Sequence, residues 1–279
     1  MPDIISAKSL TGQDLPGFIS ADGQIRLLAS LPNPGLYKAT PFGAANPIIP
    51  RSEWKPFKRV RNEVPILDQG QVGSCNAHGF ASALMRARVA SGQSQVLLSA
   101  SMLYALINGG RDAGSAPEDA AKAVVSTGIC LDSEVPEGFY RSEDIGAGPR
   151  TTAARFKVPA DAMYQVSSFD ELVSALMSNY RVAFTVRVAG NWNQFDANGS
   201  PPFYRGQGNH VTCDDDSLAQ LPSGEWVVPS RNSWTPRWGN NGRYNFREAA
   251  SENQSGFVGY AVKFPGFDPL DPFLVPSAL

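Results

Sequence analysis

An α+β fold of two lobes, with a cleft where they meet, is what the 279-residue sequence predicts. Helical periodicity dominates the first half of its central region, and short alternating or aromatic strand segments dominate the second. Proline-rich stretches bracket that region at both ends. With 42% hydrophobic and 18% charged residues, the chain can bury one large core or two lobes that share a cleft.

Residues 1–55 hold Pro16, Pro32, Pro34, Pro41, Pro47 and Pro50 with one short apolar run, IRLLASL, and read as an N-terminal arm. The folded domain is expected over 56–265, as a helical lobe at about 66–140 followed by an antiparallel, barrel-like β lobe at about 150–265. In CNAHGFASALMRARVA, 75–90, Ala77, Phe80, Ala81 and Leu84 share one helical face, and Ser91-Gly92 supply a stop. A second helix is predicted over 99–108 from a Ser99 cap, and a third from Pro117 to a stop at Gly128. After these, RVAFTVRV alternates at 181–188, EWVVPS and GRYNF are short and β-branched or aromatic, and GFVGYAVKF at 256–264 reads as a closing strand. SFDELVSALMSN, 168–179, is the helical exception, and residues 266–279, rich in proline, read as a second arm.

Lys and Arg total 24 against 26 Asp and Glu, so a net charge of −2 provides no field to gather nucleic acid or anionic lipid. Neither is expected as a partner. The opening MPDIISAKSLTGQDLPGF lacks a basic n-region and an unbroken apolar run, and no stretch approaches the ~18 apolar residues of a membrane helix. Three cysteines, Cys75, Cys130 and Cys213, allow at most one bridge and fit a reducing setting. The expected location is therefore cytoplasmic, or within a macromolecular assembly such as a virion.

Cys75 opens the 75–90 helix, where Ser74 is placed to cap it and the helix dipole favours a thiolate. A small buried hydrophobe is the commoner fate of such a cysteine. His78 lies one turn along the same helix, and the only other histidine is His210. Cys75-x-x-His78 and His210-x-x-Cys213 have zinc-like spacing, but a strand over 210–213 would point the second pair to opposite faces, so no metal is expected. Asp214, Asp215 and Asp216 lack the glycine and closing glutamate of a calcium loop and read as a solvated turn.

Three separated motifs occur in order: QGQVGSC ending at Cys75, NHVT at His210, and NSWTPRWGNNG beginning at Asn232. Together they resemble the papain family of cysteine peptidases over about residues 60–265, in the bacterial or phage type without disulfides. LLSASMLY and GSAPEDAAKAVVSTGIC add weaker agreement. The resemblance implies a papain-like fold and a peptide or protein substrate, with no cofactor. It implies Cys75 as nucleophile, His210 as base, Asn232 as the group orienting the imidazole, Trp234 as its shield and Gln69 as the side-chain donor of the oxyanion hole. A base must reach the leaving group from the opposite wall, which favours His210 over His78. For the family's backbone-docking glycine pair, Gly109-Gly110 has the composition, but Gly114-Ser115 has the better spacing to Gly128 and is the expected substrate-binding segment.

The pattern departs from the family at four places: Val72 replaces a bridging cysteine, Asn76 an aromatic residue, Thr235 a glycine, and Arg243 an aromatic residue. The leading reading is a Cys-His-Asn peptidase. The alternative is a docking subunit of a large assembly, such as a bacteriophage virion, holding protein partners through its N- and C-terminal arms.

Overall fold

The computed structural model describes residues 4–5, 19–20, 38–59 and 64–264. Residues 266–279 and most of the expected N-terminal arm lie outside the described residues. The first lobe is built on helix α1, Cys75–Ala90, which is buried on nearly every side. Its alanines and Gly79 let three neighbours approach closely: α2, Ala100–Ile107, α3, Pro117–Ser126, and the sheet of the second lobe. A Cβ at Gly79 would lie 2.6 Å from Val211 Cγ1, which shows how closely α1 rides on the sheet.

Helix α2 starts as expected, with the Ser99 side chain accepting the Met102 N–H at 2.9 Å. Helix α3 has proline in its first turn and is followed by Gly128 at φ 84°, where a Cβ would stand 2.0 Å from the Ala153 carbonyl oxygen. Phe80, Leu84, Met85, Leu103 and Val124 form a core that continues into Val211, Tyr260 and Val262 of the sheet.

Among the described residues the second lobe is a nine-stranded sheet. Its strands are β1, Thr40–Pro41, β2, Phe57–Lys58, β3, Met163–Val166, β4, Arg181–Val186, β5, His210–Asp214, β6, Ser217–Gln220, β7, Trp226–Arg231, β8, Arg243–Arg247, and β9, Gly259–Val262. The order is β1-β3-β9-β4-β5-β7-β6-β2, with β8 also on β7. All pairs are antiparallel except β1 with β3, and the described strands form an open sheet rather than a closed barrel. Helix α4, Phe169–Met177, is capped by Ser168, which accepts the Glu171 N–H at 3.1 Å. It covers a second core of Trp54, Val182, Phe184, Val228 and Phe246.

Residues 38–58 pack on this lobe. Phe42 is fully buried, the Ile49 N–H donates to Ser174 Oγ at 2.9 Å, and the Trp54 indole donates to the Ile49 carbonyl at 3.0 Å. Burying an aromatic of this size stabilises by about 1.5–3 kcal/mol.

The expected solvated turn at 214–216 is overturned. Asp214 and Asp216 are fully buried, and the run binds arginines from distant segments. Asp216 pairs with Arg181 at 2.8 Å and Arg59 at 2.9 Å, and Asp215 with Arg86 at 3.2 Å, Arg231 at 3.4 Å and Arg243 at 3.0 Å. Asp214 accepts the Val182 and Asp216 N–H groups, both at 2.7 Å. Adjacent carboxylates survive burial only when paired and hydrogen-bonded in this way.

Candidate active site

Cys75 is the first residue of α1 and is half-buried, whereas Cys130 and Cys213 are fully covered. Ser74 occupies the cap position, but its side chain makes no capping bond; the hydroxyl donates to the Val72 carbonyl at 3.4 Å. This corrects the expected cap and leaves the first-turn N–H groups to the sulfur. Burial pushes the Cys75 thiol up to about 11, and the backbone N–H groups of Val211, Asn76 and Cys75 itself pull the other way. Val211 is the residue after His210, so the thiol at the N-terminus of α1 meets the start of β5.

His210 opens β5, and Asn232 follows directly on β7. The ladder pairs Ser230 with Asp214 and Arg231 with Cys213, which brings the segment after β7 alongside β5, and Trp234 forms an isolated bridge with Asp68. His210 Nε2 lies 2.7 Å from Asn232 Oδ1, which also accepts the Ser233 N–H at 2.8 Å. Because that oxygen only accepts, the hydrogen belongs on Nε2 and the lone pair on Nδ1. Nδ1 is buried and has no hydrogen-bond partner among the described residues. Burial holds His210 down to about 4; the Asn232 bond raises it and His78 lowers it further.

Trp234 is nearly covered, with its ring centroid 4.8 Å from that of His210. Around it stand Trp192, 5.6 Å from Trp234 and stacked on Trp238 at 5.5 Å, and Tyr244. Trp192 escaped the sequence reading: it sits in the polar loop NWNQF, which matches no strand or motif.

Gln69 is buried and stitched to the segment after Asn232. Its N–H donates to the Ser233 carbonyl at 2.9 Å, and its Oε1 accepts the Ser233 hydroxyl at 2.6 Å. Nε2 gives one hydrogen to the Val72 carbonyl at 2.9 Å, and the amide retains a second. Ser233, inside the NSW motif, was also missed as the residue that fixes which way this amide faces.

His78 is fully committed elsewhere. Its Nδ1 faces the Ser74 carbonyl and its Nε2 faces Glu137 Oε2, both at 3.0 Å. Gly114 has φ 78° with open space where a Cβ would be, and Ser115 Oγ accepts from Asn76 Nδ2 at 3.1 Å. Gly109 and Gly110 also have positive φ, 62° and 79°, and the Gly110 N–H donates to Asn108 Oδ1 at 2.7 Å. Thr235 takes φ 68°, a left-handed conformation that glycine adopts without strain, and its hydroxyl accepts the Arg237 N–H at 3.0 Å.

A half-buried thiol on a helical lobe faces a strand that carries a histidine, the two groups from which cysteine-type peptidase chemistry is built. Residues 52–262 match the papain family cysteine protease profile, and the chain belongs to that family. Among solved structures it is similar to xylellain, a cysteine protease from Xylella fastidiosa, at 18% identity and TM-score 0.58, covering 75% of this chain and 92% of that one. It is also similar to the proform of the ragweed pollen cysteine protease Amb a 11, at 20% identity and TM-score 0.61, covering 77% and 67%. Bromelain from Ananas comosus, in complex with the E64 inhibitor, aligns at 15% identity and TM-score 0.57, covering 72% and 94%. No curated protein matches the chain. Among the described residues no helix is long and apolar enough to cross a membrane.

Proposed function

We propose that the chain hydrolyses peptide or amide bonds through a triad of Cys75, His210 and Asn232. The observation that carries this reading is the 2.7 Å bond from His210 Nε2 to Asn232, which leaves Nδ1 as the one ring nitrogen able to take a proton. The Cys75 sulfur attacks the carbonyl carbon while its proton passes to Nδ1. The resulting oxyanion lies between the Cys75 N–H and the second N–H of Gln69, and each donor is worth about 2.7–4 kcal/mol in comparable sites. His210 then donates its proton to the leaving amine, leaving a thioester on Cys75. Water, deprotonated by His210, releases the acid and restores the thiol.

Each charge alone is disfavoured here, since burial raises the thiol and lowers the imidazole. Proton transfer creates both charges at once, and their attraction in a partly water-excluded site offsets the desolvation each would meet singly. Trp234 and Trp192 keep water from the His210–Asn232 bond, and Gly114-Ser115 presents backbone for substrate docking. The catalytic unit takes in residues 38–55, which pack on the second lobe.

Treating the full chain with E-64 at neutral pH, followed by peptide mapping, tests this reading. One adduct is expected on Cys75, with loss of peptide hydrolysis, and none in Cys75→Ser. An active peptidase whose hydrolysis survives Cys75→Ser sinks it.

A further inference from the structure

The loop before Cys75 and the 112–116 segment are tied together on both sides of the nucleophile, by bonds the proposed chemistry does not use. Two residues before Cys75, the Gly73 N–H donates to Asp112 Oδ1 at 2.8 Å. The same oxygen accepts the hydroxyl of fully buried Tyr104 at 2.8 Å, and that hydroxyl accepts the Gly114 N–H at 3.0 Å. One residue after Cys75, buried Asn76 donates through Nδ2 to Ser115 Oγ at 3.1 Å and to the Ala116 carbonyl at 2.8 Å.

These bonds sit where the loop departs from the family pattern. Val72 stands in place of the bridging cysteine, and Asn76 in place of the aromatic residue. Asp112 collects two donors on a single oxygen, the Gly73 N–H and the Tyr104 hydroxyl. A buried tyrosine hydroxyl that both donates and accepts also has little rotational freedom. The result is a connection from Gly73, through Asp112 and Tyr104, to Gly114, independent of thiol redox state.

We infer that Asp112, with Tyr104 and Asn76, is a positioning clasp that holds the Gly114-Ser115 backbone at a fixed distance from Cys75 for substrate docking. This rests on the reading of Cys75 as nucleophile and Gly114-Ser115 as docking segment. The clasp touches neither substrate nor the reacting atoms. It therefore acts on how a peptide-like ligand is held, and leaves the intrinsic reactivity of the sulfur largely alone.

Two reagents separate these effects. E-64 is the extended inhibitor seen on bromelain, whereas iodoacetamide is too small to use a docking segment. In the full chain, Asp112→Ala is expected to raise the KI of E-64 by about tenfold or more, while Cys75 alkylation by iodoacetamide changes by less than about threefold. Asp112→Asn keeps the oxygen that takes both bonds and is expected to bring KI back to within about threefold of wild type. Tyr104→Phe, which removes only the relay to Gly114, supplies the same test with a smaller rise should Asp112→Ala fail to fold. An unchanged KI in the folded variants overturns the inference, as does an equal slowing of both reagents. A wild-type protein that neither reagent modifies at Cys75 overturns the nucleophile reading itself, and the inference with it.

Discussion

Replacing Gly79 by alanine tests how closely the two lobes must approach for catalysis. The added Cβ would lie 2.6 Å from Val211 Cγ1 and 3.4 Å from the Thr212 carbonyl oxygen. Carbon atoms in contact prefer about 3.5–4.0 Å, so roughly 1 Å must be found. Val211 is buried and its branched side chain turns little within the core, so part of that distance has to come from moving α1 away from β5. Overpacking of this kind costs about 1–3 kcal/mol, whereas alanine recovers about 1 kcal/mol of helix propensity over glycine. Net destabilisation should therefore be small, about 0–2 kcal/mol by urea unfolding.

Activity should suffer far more, because His210 precedes Val211 and Cys75 begins the displaced helix. A misplacement of about 1 Å between reacting groups costs about 10²-fold. The assay is kcat/KM for a fluorogenic peptide alongside the unfolding midpoint. Val211→Ala in the same chain removes the atoms in conflict and should recover most of the lost rate relative to Gly79→Ala alone. Full wild-type activity in Gly79→Ala, or a double variant no better than the single, would refute this account of how the lobes are spaced.

Substitutions at three further positions probe the supports of the site. Gly242 holds φ 78°, its Cβ would stand 2.6 Å from Ile66 Cγ2, and its carbonyl accepts the Asn232 N–H at 2.9 Å. Gly242→Ala should lose about 2–4 kcal/mol in chemical denaturation, with a larger fall in kcat than in peptide affinity. Arg181 is fully buried against Asp214 and Asp216, and replacing it by leucine takes its charge from both, leaving Asp216 to Arg59 and Asp214 to backbone N–H groups; a loss of about 3–5 kcal/mol is expected in the same experiment. Thr235→Gly relieves about 1–2 kcal/mol of left-handed strain but loses the hydroxyl bond to Arg237 and adds unfolded-state entropy. Its melting temperature should stay level or rise slightly, whereas Thr235→Val, which keeps the strain without the bond, should melt lower.

Local features of the fold were legible because local chemistry decides them. Ser99 and Ser168 both cap the helices they precede, and the 75–90 helix has the expected bounds. Ser74, with the same residue type in the same position, makes no capping bond, since its hydroxyl turns back to Val72. The motif residues His210, Asn232 and Trp234 meet because β5 and β7 are neighbours in register, a pairing no periodicity discloses. What stayed hidden has distant partners. Asp216 finds Arg59 across 157 residues, Gln69 finds Ser233 across 164, and Ile49 finds Ser174 across 125. A run of three aspartates looks solvated until those arginines are known.

The pH dependence of Cys75 alkylation tests the central claim, that His210 activates this thiol, most directly. A thiol held at about 11 without a base is about one part in 10⁴ thiolate at pH 7, and its reactivity climbs tenfold per pH unit toward that value. In His210→Ala, iodoacetamide labelling of Cys75 is expected to follow that slope. On the proposed mechanism the wild-type thiol passes its proton to His210 as the sulfur attacks, so labelling at pH 7 should be about 10²-fold faster or more and nearly flat from about pH 5 to 9. It should fall only as the pair takes up a second proton near or below the His210 value of about 4. A single shared profile, rising toward about 11 in both proteins, would contradict the account.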